Sequence, residues 1–223
     1  MELTITKPVF VTGAPRSGKS VVAKAIGRSR GFAYIEEPIW IWGGLPRVDG
    51  SDGVSARAAT ARVRRYVHSA CAAAVKERNA NRYVDDYAYH ALSLEFLHAT
   101  FPDLRVIHVV RNPADVIPEI AYGWMRREHS RPMGTGPKPD DVRQPLHVRR
   151  RRTITRAFSS PWAARAALVF GARAVMNEIE LRIRGRRRTY GPRVQGMAGL
   201  GSKASAFEVA AHQWAGIVRA ARL

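Results

Sequence analysis

Residues 9–27 read VFVTGAPRSGKSVVAKAIG, and their order decides the fold. A β-rich run ends at Gly13, and from Ser17 onward the composition favours a helix with Val21, Val22, Ala25 and Ile26 as its apolar face. Between the two lies G-x-x-x-x-G-K-[ST] without a gap: Gly13, Ala14, Pro15, Arg16, Ser17, Gly18, Lys19, Ser20. After a parallel strand, such a loop turns successive backbone N–H groups inward, its glycines allow close approach, and the helix N-terminus adds partial positive charge. The spacing predicts an anion-binding loop. By itself it leaves the anion open, since a nucleotide triphosphate and a phosphosulfate both present suitable oxygens.

Outward from the loop, strands and helices alternate. FAYIE (32–36) reads as a second strand, and residues 51–78 as a long helix with Ser51 and Asp52 as its caps. RYVDD (82–86) is a third strand and HALSLEFLHATF (90–101) a helix. LRVIHVV (104–110), the most uniformly apolar run, is expected to be a central buried strand. Pro113 suits the first turn of the next helix. The order predicts an α/β fold, P-loop-like, with three α/β/α layers around a central parallel sheet. A chain of 223 residues suits one such domain, taken here as 1–223. The Gly-, Pro- and charge-rich stretch 128–145 is a long loop, a helix runs from Ser160 or Pro161 to about Arg184, and 205–222 is amphipathic.

A net charge of +19 favours anionic partners. The excess is overwhelmingly Arg beside an Ala-rich apolar set, so its clusters read as solvated or paired with acids, and nucleic acid is not expected as a partner. Cys71, the one cysteine, has no internal disulfide partner and reads as a buried apolar residue, which fits a reducing cytoplasm. The first residues lack a secretory pattern, and the longest apolar candidate, 162–176, is interrupted by Arg165 and Arg173; no membrane span and a cytoplasmic location are expected. The seven histidines show no close ligand pairing, so no metal site is expected; His108, inside a strand, reads as a hydrogen-bonded core imidazole. Trp40 and Trp42 share one face if their segment is extended, and would line an acceptor pocket. The chain by itself is silent on oligomeric state.

A kinase needs Mg²⁺, held by the loop's Ser20 and by a strand-end carboxylate, for which Asp85 or Asp86 is available. The apolar strand 104–110 instead runs into Arg111, which suits an anion. A sulfuryl group carries less negative charge than a phosphoryl group, so its transfer proceeds on cations and amides alone.

Two segments, VFVTGAPRSGKSVV (9–22) and FPDLRVIHVVRNPADV (101–116), resemble the P-loop-like sulfotransferases that use 3′-phosphoadenosine-5′-phosphosulfate (PAPS), of the bacterial type and similar to the tyrosylprotein and heparan enzymes. The Pro15–Gly18 core, Pro-Arg-Ser-Gly, matches that family's phosphosulfate loop, and weaker echoes are EEP (36–38), YGPR (190–193) and EVAAHQWAGIVRAA (208–221). The resemblance implies a sulfuryl transfer from PAPS to a hydroxyl or amine of a small-molecule, carbohydrate or lipid acceptor. It implies that Gly13, Pro15, Arg16, Ser17, Gly18, Lys19 and Ser20 hold the 5′-phosphosulfate, and that Arg111, with Arg193, holds the 3′-phosphate. Arg16 and Lys19 would also stabilise the transfer. Glu37 would be the base, with Glu36 and Asp86 as alternatives; strand alternation sends the two glutamates to opposite faces.

The chain departs from that pattern in four places. Lys19 stands where the family has Thr, and Asp86-Tyr87 stand where its third strand ends in Lys-Thr, so Lys19 is expected to replace the missing lysine. Glu119 occupies the place of a Ser eight residues beyond the phosphate-binding Arg. The family's C-terminal strand is absent, which implies a truncated member. The alternatives are an ATP- and Mg²⁺-dependent small-molecule kinase using Lys19, Ser20 and Asp85 or Asp86, and an inactive nucleotide-binding member.

Overall fold

Every residue of β1 (Val9–Gly13) is buried on both faces, because the strand has neighbours on both edges and helices above and below. The computed structural model describes residues 5–125, 160–184, 191–200 and 204–222. Among these, four parallel strands lie in the order β2 (Phe32–Ile35), β3 (Arg82–Asp85), β1, β4 (Arg105–Val109). Val9 pairs with Val84 of β3 and with Arg105 of β4, and Gly13 with Val109. The carboxyl ends of β1, β3 and β4 therefore lie side by side, which is where open α/β sheets bind ligands.

Val9, Val11 and Val84 form one face of the sheet and pack with Ala23, Val22 and Ile26 of α1 (Lys19–Gly27). On the other face the Phe10 ring meets Tyr83, His90 and Phe101 at centroid distances of 6.0, 4.9 and 5.7 Å. That face is covered by α3 (Ala61–Lys76), which buries Val67 and Cys71, and α4 (Leu94–Thr100), which buries Phe96 and Leu97. Each such large side chain contributes about 2–3 kcal/mol of apolar burial. The result is the expected three-layer α/β/α arrangement around a parallel sheet.

Three local expectations are corrected. The helix read over 51–78 begins only at Ala61, where the Thr60 hydroxyl accepts the Val63 N–H at 3.3 Å; Ser51 and Asp52 cap nothing, because both are drawn to the residue 193 segment. The helix read over 90–101 breaks at Ser93 into a 3₁₀ turn, His90–Leu92, and α4. The Ser93 hydroxyl accepts the Val54 N–H at 3.0 Å and donates to the Tyr89 carbonyl at 3.2 Å, in competition with helical pairing. Finally, β1 and not β4 is central: β4 pairs with β1 alone among the described strands, and Arg105 and Ile107 are exposed. The apolarity of a strand carries no information about its place in the hydrogen-bond order, and here it does not bury the strand's faces either.

Helix starts follow their sequence signals. Asn112 Oδ1 accepts the Ala114 N–H at 2.9 Å ahead of α5 (Pro113–Met125), and Ser205 with Glu208 closes a capping box ahead of α7 (Ala206–Ala220).

The chain divides into two compact units. All the elements above belong to the larger one, except that the last two residues of α5 lie past its boundary at residue 123. The smaller unit, Ile39–Leu45 with Trp124–Thr189, contains α2 (Ile39–Trp42) and α6 (Pro161–Arg184), which pack together. A Cβ at Gly44 would lie 1.9 Å from the Trp162 carbonyl oxygen, so only glycine allows that approach. Because α2 is a helical turn, Trp40 and Trp42 point in roughly opposite directions, and the shared strand face expected for them does not exist. The long loop 128–145 lies outside the described residues, as does most of the basic 184–193 tract.

A Cβ on Gly13 would lie 2.5 Å from the Val109 carbonyl oxygen and 2.6 Å from Ser17 Oγ. Gly13→Ala is expected to lower the unfolding free energy by about 2 kcal/mol through this overpacking, read from the urea midpoint at unchanged slope.

Candidate anion-binding site

The loop between β1 and α1 folds as its motif predicts. The Ser17 N–H closes a turn on the Ala14 carbonyl at 3.1 Å, and Arg16 (φ 67°) and Gly18 (φ 95°) then take left-handed conformations. Only glycine adopts that region without cost, so Arg16 stores strain of the kind found at binding loops. The turn leaves the amides of Gly18, Lys19 and Ser20 with no acceptor among the described residues. Ser17 Oγ is buried there without a partner, and a Cβ at Gly18 would meet nothing within 4 Å. Unpaired donors around an open space fit a tetrahedral oxyanion, and Arg16 stands exposed at the rim.

Behind the loop, Lys19 is buried and held by the ends of two other strands. Its ammonium donates to the Asp86 carbonyl at 2.6 Å and lies 3.3 Å from Glu37 Oε1 and 3.7 Å from Asp86 Oδ2. Asp86, fully buried, also accepts the Glu37 N–H on Oδ1 at 3.0 Å. That bond holds Glu37 at φ 37°, a conformation rarely taken by a residue other than glycine, so the chain turns out of the sheet direction directly after β2. Burial alone raises the Asp86 pKa, but the Lys19 charge, the Ser20 hydroxyl, the Glu37 amide and the Tyr34 hydroxyl together hold it below its usual 3.8. Neither hydroxyl closes a bond of good geometry on Oδ2. Burial, then the charges of Asp86 and Glu36, push the Tyr34 hydroxyl far above its usual value. Glu37 thus faces the loop through Lys19, and the Glu36 charge acts on the Tyr34 hydroxyl.

Arg111, two residues past β4, donates to the Arg16 carbonyl at 3.3 Å, which brings the two family-like segments into contact. Its Nη1 also pairs with Glu119 Oε1 at 2.9 Å, and its Nε lies 3.8 Å from Asp115 Oδ2. The 191–193 segment reaches the loop by its backbone: a Cβ on Gly191 would lie 3.4 Å from Pro15 Cγ, and Gln213 Nε2 of α7 donates to the Pro192 carbonyl at 2.6 Å. The Arg193 guanidinium, however, turns to Asp52. Asp52 Oδ2 accepts the Arg193 N–H at 2.8 Å, and Oδ1 meets Arg193 Nη2 at 3.3 Å and Arg47 Nη1 at 3.2 Å. Asp52 was not legible as an anchor in the sequence because Arg193 lies 141 residues away in the chain, and Arg47, five residues before Asp52, takes its role only through that anchor.

Other polar groups separate cleanly from this site. Asp85 is committed to the core, its Oδ2 accepting the Tyr83 hydroxyl at 2.7 Å and its Oδ1 the His90 Nε2–H at 2.6 Å, so of the two strand-end acids only Asp86 faces the loop. His108, expected to be hydrogen-bonded, has no partner for either ring nitrogen among the described residues; burial, then the Arg222 charge, lowers its pKa. Cys71 is buried as expected. Among the described residues no group of three or more His, Cys, Asp or Glu is placed to hold a metal ion, and no helix is long and apolar enough to cross a membrane.

A family model described as the sulfotransferase family matches residues 8–168, and the chain belongs to that family. No curated protein and no solved structure matches it. The match spans the anion-binding loop, the Glu36-Glu37 segment, both strand-end acids and Arg111, and it makes the protein a transferase of the sulfotransferase class.

The Asp86 shift has a pH consequence. A carboxylate with a depressed native pKa contributes stability that is fully present above its unfolded value and is lost as pH falls through the native one. The unfolding free energy of the wild type minus that of Asp86→Asn is therefore expected to be constant above about pH 5 and to shrink below about pH 4. Parallel denaturant titrations across that range measure it.

Proposed function

We propose that the protein transfers the sulfuryl group of PAPS to a hydroxyl or amine of a small-molecule, glycan or lipid acceptor. The observation that carries this reading is the 3.3 Å contact between the Arg111 guanidinium and the Arg16 carbonyl, which joins the two segments that resemble the PAPS-binding parts of the family. The loop supplies the rest: the three amides and the Ser17 hydroxyl, without partners among the described residues, together with the exposed Arg16, suit the 5′ end of such a donor, and Arg111 suits its 3′-phosphate.

The donor supplies an activated sulfuryl group, and the chain's residues do the rest. The loop amides and Arg16 neutralise charge that builds on the leaving 5′-phosphate as its bond to sulfur breaks. Glu37, which with Asp86 faces the loop and is the less buried of the two, takes the acceptor proton as the new oxygen–sulfur or nitrogen–sulfur bond forms. Lys19 reaches the end of β3, where relatives keep a lysine, and so returns a cation to that place from the loop side. This supports its role as the replacement.

A second reading, an ATP- and Mg²⁺-dependent kinase, is favoured by one observation: Asp86 lies beside both Lys19 and Ser20, the residue types that a kinase loop combines with a strand-end acid. Thermal unfolding separates the two. PAP, 3′-phosphoadenosine 5′-phosphate, is expected to raise Tm without Mg²⁺, whereas a shift by ATP only with Mg²⁺ would establish the kinase and no shift with either an inactive member. Arg16→Ala is expected to weaken PAP binding roughly 10- to 100-fold, by loss of a charge-assisted contact, measured by calorimetry.

A further inference from the structure

Three cations of the candidate donor site each hold a carboxylate, but only one of the pairs is exchangeable. Asp86 beside Lys19 and Asp52 beside Arg193 are both fully buried; loss of Lys19 would strip Asp86 of the cation that compensates it, and loss of Arg193 would leave Asp52 with Arg47 as its remaining cation. Arg111 and Glu119 are 41% and 45% exposed, and an ion pair open to solvent at both ends is weak. Glu119 sits on α5 one turn beyond Asp115, so the guanidinium faces two carboxylates from one helix. The same guanidinium contacts the loop at the Arg16 carbonyl. An anion arriving at Arg111 therefore meets Glu119 Oε1 already in place at 2.9 Å.

We propose that Glu119 sets the donor-nucleotide selectivity of this chain: it occupies Arg111 as an internal anion, so a nucleotide gains little from a 3′-phosphate. The inference rests on the reading of Arg111 as the 3′-phosphate contact. A phosphate dianion reaches Arg111 only by displacing the carboxylate and then remains near it on the same helix, where like charges repel. The loop donors that receive the 5′ end are untouched by this competition. The chain consequently accepts adenosine 5′-phosphosulfate and PAPS with similar affinity, and the choice between them is a property of one side chain.

Calorimetric titration of adenosine 5′-monophosphate (AMP) and of PAP, at two salt concentrations, tests this. An unopposed arginine–phosphate contact gives a preference of roughly 10- to 100-fold. In the wild type PAP is expected to bind less than about tenfold more tightly than AMP, and Glu119→Gln to tighten PAP about tenfold with AMP changed less than about twofold. Glu119→Ser is a second variant that reads the same quantity should the glutamine variant be unstable. Combining Arg111→Gln with Glu119→Gln must abolish the gain. A structural role for Glu119 would weaken both nucleotides and lower Tm together. PAP binding that is unchanged or weakened in both Glu119 variants, or an equal gain for AMP, overturns this inference alone. Failure of every variant to bind either nucleotide overturns it together with the donor reading.

Discussion

The amides left over where β1 becomes α1 are the constraint around which this molecule is arranged. A helix cannot satisfy its own first N–H groups, and here Gly18, Lys19 and Ser20 keep theirs open because the turn that precedes them closes on Ala14 instead. The left-handed Gly18 opens the turn on a space where an added Cβ would meet nothing within 4 Å. Parallel pairing then delivers what an anion in that space needs: β4 leads to Arg111, while β3 and β2 are followed by Asp86 and Glu37. A site of this kind is the product of four strand ends, and no single segment contains it.

Against a net charge of +19, the placement of the acids is the more informative half of the electrostatics. Asp52, Asp85 and Asp86 are all fully buried, and each does a different job. Asp85 binds Tyr83 and His90 within the core; Asp52 gathers Arg47 and Arg193 and pins residues 191–193, which lie against the loop at Pro15. Asp86 ties Lys19 to the strained turn at Glu37. Buried acids are stable only where cations or N–H donors meet them, so the excess of arginine does not imply that every arginine is available to a ligand. Arg193 and Arg111 are held by carboxylates of the chain itself.

Much of the fold and part of the site were legible from the residues. The Gly13–Ser20 motif specified the turn because glycines and an N-terminal helical stretch have few other uses at that spacing, and the parallel sheet followed from alternation. Capping signals worked where the side chain had no better partner, as at Ser205, and failed at Ser51 and Asp52, where the distant residue 193 segment competed successfully. Ser93 broke its helix for the same reason, in favour of Val54. The place of β4 at the edge of the described strands was hidden because hydropathy does not count hydrogen-bonded neighbours.

The sequence by itself determined the anion-binding turn, the strands that flank it and the chemical types available, since these depend on local backbone preference and on periodicity. Only the tertiary structure decided which charges face one another: Lys19 with Glu37 and Asp86, Arg111 with Glu119, Arg193 with Asp52. The physical reason is that ion pairing depends on distances of a few ångströms between residues far apart in the chain, and the register of parallel strands, fixed by packing of the whole core, sets those distances.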